Sequence, residues 1–340
     1  MAMLDTKQKV ISRIEQLSSL ATVLSKAPAA QVLQLRDVLL ALPDDRQWDP
    51  SGRSGLNADG SPLQYCISTA QKGWAGRFIS DPACIIGHPG QRYRFSYQAL
   101  QQLYLQSQSQ AIQEICEEML RFHLPQEQEE LEDYPDGVLW LGASPDGPGM
   151  AVYMDGRRGG HEVSWQRFQE WLHHLMPHNT EVDSFIASLS PLANIMSIGL
   201  EGSSMDNLRA KLYFRLGQST GLKSLGVELL QNEAFAHFLN DVIGTREIRL
   251  SGLVFSIGFH IASGKLFDAK MDVCGCNACA GMETAAWLDV LQRTTSRHQL
   301  CPFPIEQEVL EHQCAVSYYG IGMDRRGEIR MNLYLKNKIL

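Results

Sequence analysis

Hydrophobic and polar positions alternate in four stretches of seven to nine residues, strictly in one of them, and each reads as a β-strand with two unlike faces. The clearest is 208–216. Leu208, Ala210, Leu212, Phe214 and Leu216 share one face, and Arg209, Lys211, Tyr213 and Arg215 share the other. A half-exposed strand has the same pattern, so this stretch alone carries no function. The repetition does. Gly149–Asp155, Phe267–Cys274 and Glu328–Lys336 set Tyr153 and Asp155, then Asp268, Lys270 and Asp272, then Arg330, Asn332 and Tyr334 on the matching face.

Each of these strands follows a shorter apolar stretch ending in glycine: Trp140-Leu141-Gly142, Ser197-Ile198-Gly199, Ser256-Ile257-Gly258 and Gly320-Ile321-Gly322, roughly sixty residues apart. A fifth, divergent pair lies at Leu63–Ser68 and Gly76–Ser80, with Arg77 on the polar face. Between the pairs the period changes to that of helices. Asp5–Leu42 is helical with a break near Ala27-Pro28, Tyr97–Leu124 reads as one long amphipathic helix, and further helices are predicted at Ser164–Met176, Leu222–Ile243 and Met282–Leu291. Asp44–Gly60 is loop by its Asp, Gly, Ser and Pro content, and Glu127–Glu132 reads as a solvated connector.

The order strand, strand, helix therefore recurs, after outer helices over 1–45 and through barrel repeats over 56–340. No linker divides the chain, so a single domain over 1–340 is expected. Five hairpins give about ten antiparallel strands. The helices need an apolar sheet face to cover, so the cationic and tyrosine-bearing faces turn the other way. If the sheet closes, which removes its edges, those faces line a solvent-filled lumen. Polar, aromatic and cationic groups converging there imply a ligand.

Composition narrows the ligand. A net charge of −8 over 340 residues argues against nucleic acid as a partner, so the cations matter for where they sit. Eight cysteines without a signal peptide indicate reduced thiols and a cytoplasmic protein, and no apolar run reaches membrane-spanning length. Cys274-x-Cys276-x-x-Cys279 offers three thiols where a structural zinc site wants four ligands; Cys301, Cys314 or His260 would have to complete it. His173, His174 and His178 make a weaker metal cluster, because Pro177 ends the helix that would align them.

These strands resemble those of the aromatic prenyltransferases with the αββα barrel, and within them the dimethylallyltryptophan synthase type. Arg209-x-Lys211-x-Tyr213 is similar to that family's diphosphate-binding and tyrosine-shield strand. Leu56-Asn57-Ala58-Asp59-Gly60-Ser61-Pro62-Leu63-Gln64-Tyr65 resembles its Asp-Gly-x-Pro-x-Glu segment. Arg77-Phe78-Ile79-Ser80-Asp81-Pro82 resembles the strand that follows, whose arginine holds the diphosphate. The resemblance runs from about Leu56 to the C-terminus. It implies an α+β fold: a ten-stranded antiparallel barrel inside helices.

It also implies transfer of a dimethylallyl or geranyl group from its diphosphate to an indole carbon of a tryptophan-derived metabolite. Arg77, Arg209, Lys211, Lys270 and Arg330 would hold the diphosphate. Tyr153, Tyr213 and Tyr334 would shield the allyl cation. Gln64, Trp140, His260 and Tyr318 would receive the acceptor. No cofactor is required on this resemblance, and the protein would be a monomer or homodimer without nucleic-acid or membrane partners. On this reading the prenyl diphosphate is also the counter-ion that lets Lys211 lie inside the barrel.

Three positions depart from the family pattern. Gln64 stands in place of a glutamate; its carbonyl accepts a hydrogen bond but is no general base. Deprotonation would then fall to Asp155, Asp272 or His260. Ala151 stands where a lysine is expected, and Asp272 replaces a tyrosine after Lys270; the added carboxylates leave room for Mg²⁺ on the diphosphate. Prenylation of a phenol or of a peptide Tyr or Trp remains an alternative, as does a non-catalytic barrel that binds an amphipathic anion.

Overall fold

The computed structural model of the protein describes residues 2–42, 49, 53–57, 60–125, 128–134, 137–177, 179–217, 227–243, 253–275 and 283–337. The chain runs through strands β1 (Leu63–Ala70), β2 (Gly73–Ser80), β3 (Leu139–Ala143), β4 (Met150–Asp155), β5 (Ala193–Gly202), β6 (Arg209–Leu216), β7 (Leu253–His260), β8 (Lys265–Cys274), β9 (Cys314–Asp324) and β10 (Ile329–Asn337). Every strand is antiparallel to its sequence neighbours, and β10 pairs with β1, so the ten strands close into a barrel. Closure leaves no edge for another chain to add to.

The alternation in the sequence becomes the inside and outside of this barrel. Ala210, Leu212 and Phe214 of β6 are fully buried beneath the outer helices, as are Phe255, Ile257 and Phe259 of β7. Phe214 stacks on Phe255 at 5.5 Å between ring centres. Helix α6 (Thr180–Leu189) sets Phe185 edge-on to Phe259, and α7 (Glu233–Ile243) sets Phe238 against Tyr319. The remaining helices are α1 (Ala2–Leu24), α2 (Ala29–Leu40), α3 (Pro89–Gln106), α4 (Gln113–His123), α5 (Gly160–Leu175), α8 (Thr284–Arg297) and α9 (Gln307–His312).

The recurrent glycines have a packing reason. Gly199, Gly258, Gly320 and Gly322 lie on the lumen face beside a large polar side chain of the neighbouring strand. A Cβ on Gly199 would lie 2.5 Å from the Tyr153 ring, one on Gly258 2.5 Å from Asp268 Oδ1, and one on Gly320 2.7 Å from the Met271 carbonyl oxygen with Asp272 Oδ1 nearer still. Glycine there gives the lumen groups the room they occupy.

Some helical expectations are corrected. The single helix expected over 97–124 is two, α3 and α4. Ser107 Oγ donates to the Leu103 carbonyl (2.6 Å), and Gln108 takes a positive φ of 54°, which ends α3. Helix α6 was not anticipated; Asn179, just past Pro177, caps it by accepting from the Glu181 and Val182 amides. The stretch expected as helix over 222–243 is described as a 3₁₀ turn, Glu228–Gln231, and then α7. No helix among the described residues is long and apolar enough to cross a membrane.

Candidate active site

Six of the strands carry the ionic centre of the lumen. Asp268 of β8 is fully buried and takes three cations. Lys211 Nζ donates to its Oδ1 at 2.7 Å, while Arg209 (2.7 Å) and Arg330 (2.5 Å) donate to Oδ2. Glu201, on β5, accepts from Arg209 at 3.1 Å, from Arg77 at 3.4 Å and from the Tyr153 hydroxyl. Lys270 Nζ donates to Asp272 Oδ2 (2.7 Å) and to the Tyr334 hydroxyl (2.6 Å).

Five cations thus meet three carboxylates, which leaves two positive charges in surplus. Burial works to raise the Asp268 carboxyl, but Lys211, Arg330 and Arg209 outweigh it and hold it far below the ordinary range. Glu201 is likewise held down by Arg77, Lys211 and Arg209 against its own burial. Both are ionised at neutral pH. Burial lowers the Lys211 ammonium, and Asp268 and Glu201 recover part of that loss. The expectation that Lys211 waits for an external counter-ion is therefore corrected: Asp268 is its partner.

Next to the ionic centre stands an aromatic collar. Tyr153 and Tyr213 meet edge to face at 5.5 Å, and Tyr318 meets Tyr334 in the same way at 6.2 Å. Lys270 Nζ lies 5.5 Å from the Tyr213 ring centre, within cation–π range, while at Tyr334 it sits at the hydroxyl end of the ring. A cavity of about 290 Å³ is lined by the collar and by Gln64, Trp140, Arg215 and Asp272.

Gln64 is fixed in one orientation. Its Nε2 donates to Asn57 Oδ1 at 2.8 Å, to Ser317 Oγ at 3.2 Å and to the Leu56 carbonyl at 3.3 Å. Asn57 is held in turn by bonds from its Nδ2 to the Ser61 and Leu63 carbonyls. The amide nitrogen is thus used within the protein, and the carbonyl is left as the free acceptor. Ser54 and Arg92 share the buried Asp81, which ties the loop carrying Asn57 to α3.

The structure brings together all the residues assigned to the diphosphate, the cation shield and the acceptor except His260. That imidazole lies at the β7–β8 turn, hydrogen-bonded to Ser263 Oγ (2.9 Å) and the Asp206 carbonyl (2.8 Å), away from the 290 Å³ cavity. Asp155 is bonded to Arg157, whereas Asp272 lines the cavity with Oδ1 unpartnered. The sequence reading missed Glu201 as the organiser of Arg77 and Arg209, though its place two residues after Gly199 on an inward face was a signal. It also left Arg215 without a role. Arg215 lines the cavity, and its buried Nε has no hydrogen-bond partner.

Among the described residues, no group of three or more His, Cys, Asp and Glu is placed to hold a metal ion. Mg²⁺ fits the lumen donors poorly, since Glu201, Asp268 and Asp272 are each bonded to an Arg or Lys. His173 pairs with Asp183 (2.5 Å) and His174 with Glu118 (2.8 Å). Cys274 is buried; Cys276, Cys279 and His178 lie outside the described residues.

A closed barrel of ten antiparallel strands with helices outside and a cationic, tyrosine-lined lumen is the αββα barrel of the aromatic prenyltransferases, and the chain has that fold. It is similar over 94% of its length to 95% of 5-dimethylallyltryptophan synthase from Streptomyces coelicolor, with TM-score 0.70 and 19% identity. The 6-dimethylallyltryptophan synthase from Micromonospora olivasterospora, solved with DMASPP and Trp, gives TM-score 0.74 at 14% identity over 96% of this chain and 97% of that one. AnaPT from Neosartorya fischeri gives 0.68 at 11%, over 96% and 93%. No protein-family model and no curated protein matches the sequence. At these identities the likeness is one of fold.

Proposed function

We propose that this protein transfers an allylic group, dimethylallyl or geranyl, from its diphosphate to a carbon of an indole acceptor, tryptophan or a compound derived from it. The observation that carries the reading is the surplus of two positive charges at a buried ionic centre, set directly against a collar of tyrosines. A neutral ligand would leave that surplus unpaired, a costly arrangement.

Arg77, Arg209, Lys211, Lys270 and Arg330 stabilise the pyrophosphate as the C–O bond breaks, each charge-assisted hydrogen bond contributing about 1.5–3 kcal/mol. Neutralisation by the chain's own cations accounts for the leaving group without a metal. Tyr153, Tyr213 and Tyr334 shield the allyl cation, by roughly 0.5–2 kcal/mol each. The Gln64 carbonyl accepts the indole N–H, Trp140 and Tyr318 flank the ring, and the free guanidinium edge of Arg215 suits an acceptor carboxylate. The indole carbon forms the new C–C bond, and the proton it loses passes to Asp272, whose Oδ1 has no other partner. The dimethylallyltryptophan synthases of the same fold, both solved with DMASPP and Trp, support this choice of donor and acceptor.

Incubation with dimethylallyl and geranyl diphosphates against a panel of indoles, phenols and Trp- or Tyr-containing peptides, read by mass, tests the reading. An indole product with one added prenyl group is expected. Prenylation only of phenols or peptides would move the acceptor assignment, and tight diphosphate binding without any product would make the barrel a binding protein.

A further inference from the structure

The polar lumen does not stop at the ionic centre. The 290 Å³ cavity shares Arg77, Tyr213, Lys270 and Tyr334 with a second chamber of about 210 Å³. That chamber shares Arg77, Glu201, Arg209 and Arg330 with a third, of about 550 Å³, at the hairpin end of the barrel. Pro148, Asp206 and Asn207 on the rim of the third chamber are solvent-exposed, and all the hairpin turns at this end lie within the described residues. Three chambers thus follow one another along the lumen, separated by the cations, and the outermost reaches the surface at the hairpin turns.

The three guanidiniums between the second and third chambers differ from Lys211. The Lys211 side chain is 2% exposed, whereas those of Arg209, Arg77 and Arg330 are 20%, 29% and 29% exposed. Each is held sideways by Glu201 or Asp268, and Phe267 lies under Arg209 at 5.1 Å. Cations in series, each with a carboxylate to return to, pass an anion onward without binding it too tightly. The opposite route leads through the tyrosine collar, where a polyanion would lose its hydration against aromatic faces.

We infer that the hairpin end is a second mouth and that pyrophosphate leaves through it, while the aromatic acceptor enters and leaves at the Gln64 end. This rests on the prenyl-transfer reading. Product release then needs no fixed order, because neither product blocks the other's path.

The test is the rate of exchange of radiolabelled inorganic pyrophosphate in variants that narrow one end or the other. Ser203→Trp narrows the hairpin mouth from a turn whose backbone N–H still bonds Asn207 Oδ1. Met196→Trp narrows the acceptor cavity. The expected result is that Ser203→Trp slows both association and dissociation at least tenfold, with Kd within threefold of wild type, and that Met196→Trp leaves both rates unchanged. Pro148→Trp, on a different turn, gives the same reading if Ser203→Trp does not fold. Slowing by Met196→Trp alone, or unchanged rates in both hairpin-end variants, would overturn the second mouth while leaving prenyl transfer standing. A wild-type protein that binds no pyrophosphate at all would overturn the functional reading and the mouth with it.

Discussion

Asp268 pairs with three cations from a fully buried position, so its charge is the one the lumen can least lose. Asp268→Asn should destabilise the protein by about 3–5 kcal/mol, the usual result of removing one partner of a buried ion pair. Pyrophosphate should then restore more Tm to the variant than it adds to wild type, because the ligand supplies the missing anion; equal shifts would contradict this. Asp268 and Glu201 both have folded pKa values below their unfolded ones. Their stabilisation is complete above the unfolded carboxyl range, about pH 4, and is lost as the pH falls through the lower folded values. Asp272 carries a separate expectation. Asp272→Asn should lower kcat by about 10²-fold, and a deuterium isotope effect at the substituted indole carbon should appear in the variant. No isotope effect, with kcat near wild type, would remove Asp272 as the proton acceptor. At this scale the sequence told which residues point inward, because alternation fixes the face. It did not tell which carboxylate meets which cation, since Glu201 and Arg77 are 124 residues apart and meet only across the closed lumen.

The strand elements were legible because two-residue periodicity and a recurring glycine mark them independently. Gly199 illustrates the constraint. A methyl group there collides with the Val152 carbonyl and the Tyr153 ring, so Gly199→Ala should cost about 1–3 kcal/mol by overpacking and displace Tyr153. Urea unfolding together with the loss of prenyl transfer would register both effects. Helix ends were less legible, since the break after α3 and the start of α6 depend on the side-chain hydrogen bonds of one serine and one asparagine within otherwise helical composition. Where α4 meets α5, His123 packs edge-on to Trp171 at 5.1 Å with its Nε2 buried and unpartnered. Burial, with Arg167 adding to it, pushes this imidazole down to about 3. The unfolded chain protonates His123 near pH 6.5 and the folded chain does not. Stability from this site is therefore full above about pH 6.5 and falls on acidification, by up to about 1.4 kcal/mol per pH unit. His123→Leu should flatten the pH dependence of the urea midpoint between pH 6.5 and 4. An unchanged slope would mean that the folded helix pair admits the proton.

Closure of the barrel makes one molecule of these parts, and it was inferable because ten two-faced strands with helices on only one side have no other way to bury both their apolar faces and their edges. The identity of the lumen's contents was only half legible. The cations on the inward faces were legible in the sequence, while their surplus over the internal carboxylates emerges only from the paired geometry. On the proposed function this surplus holds a diphosphate whose departure is coupled to prenylation of an aromatic carbon. A single-turnover experiment tests it most directly. Enzyme in excess is mixed with dimethylallyl diphosphate, with and without an indole acceptor, and pyrophosphate and prenylated product are counted together. One pyrophosphate per prenylated indole is expected, both lost in parallel in Arg209→Met, with little release when the acceptor is omitted. Release of pyrophosphate without product, or tight retention of intact dimethylallyl diphosphate with every acceptor, would contradict it.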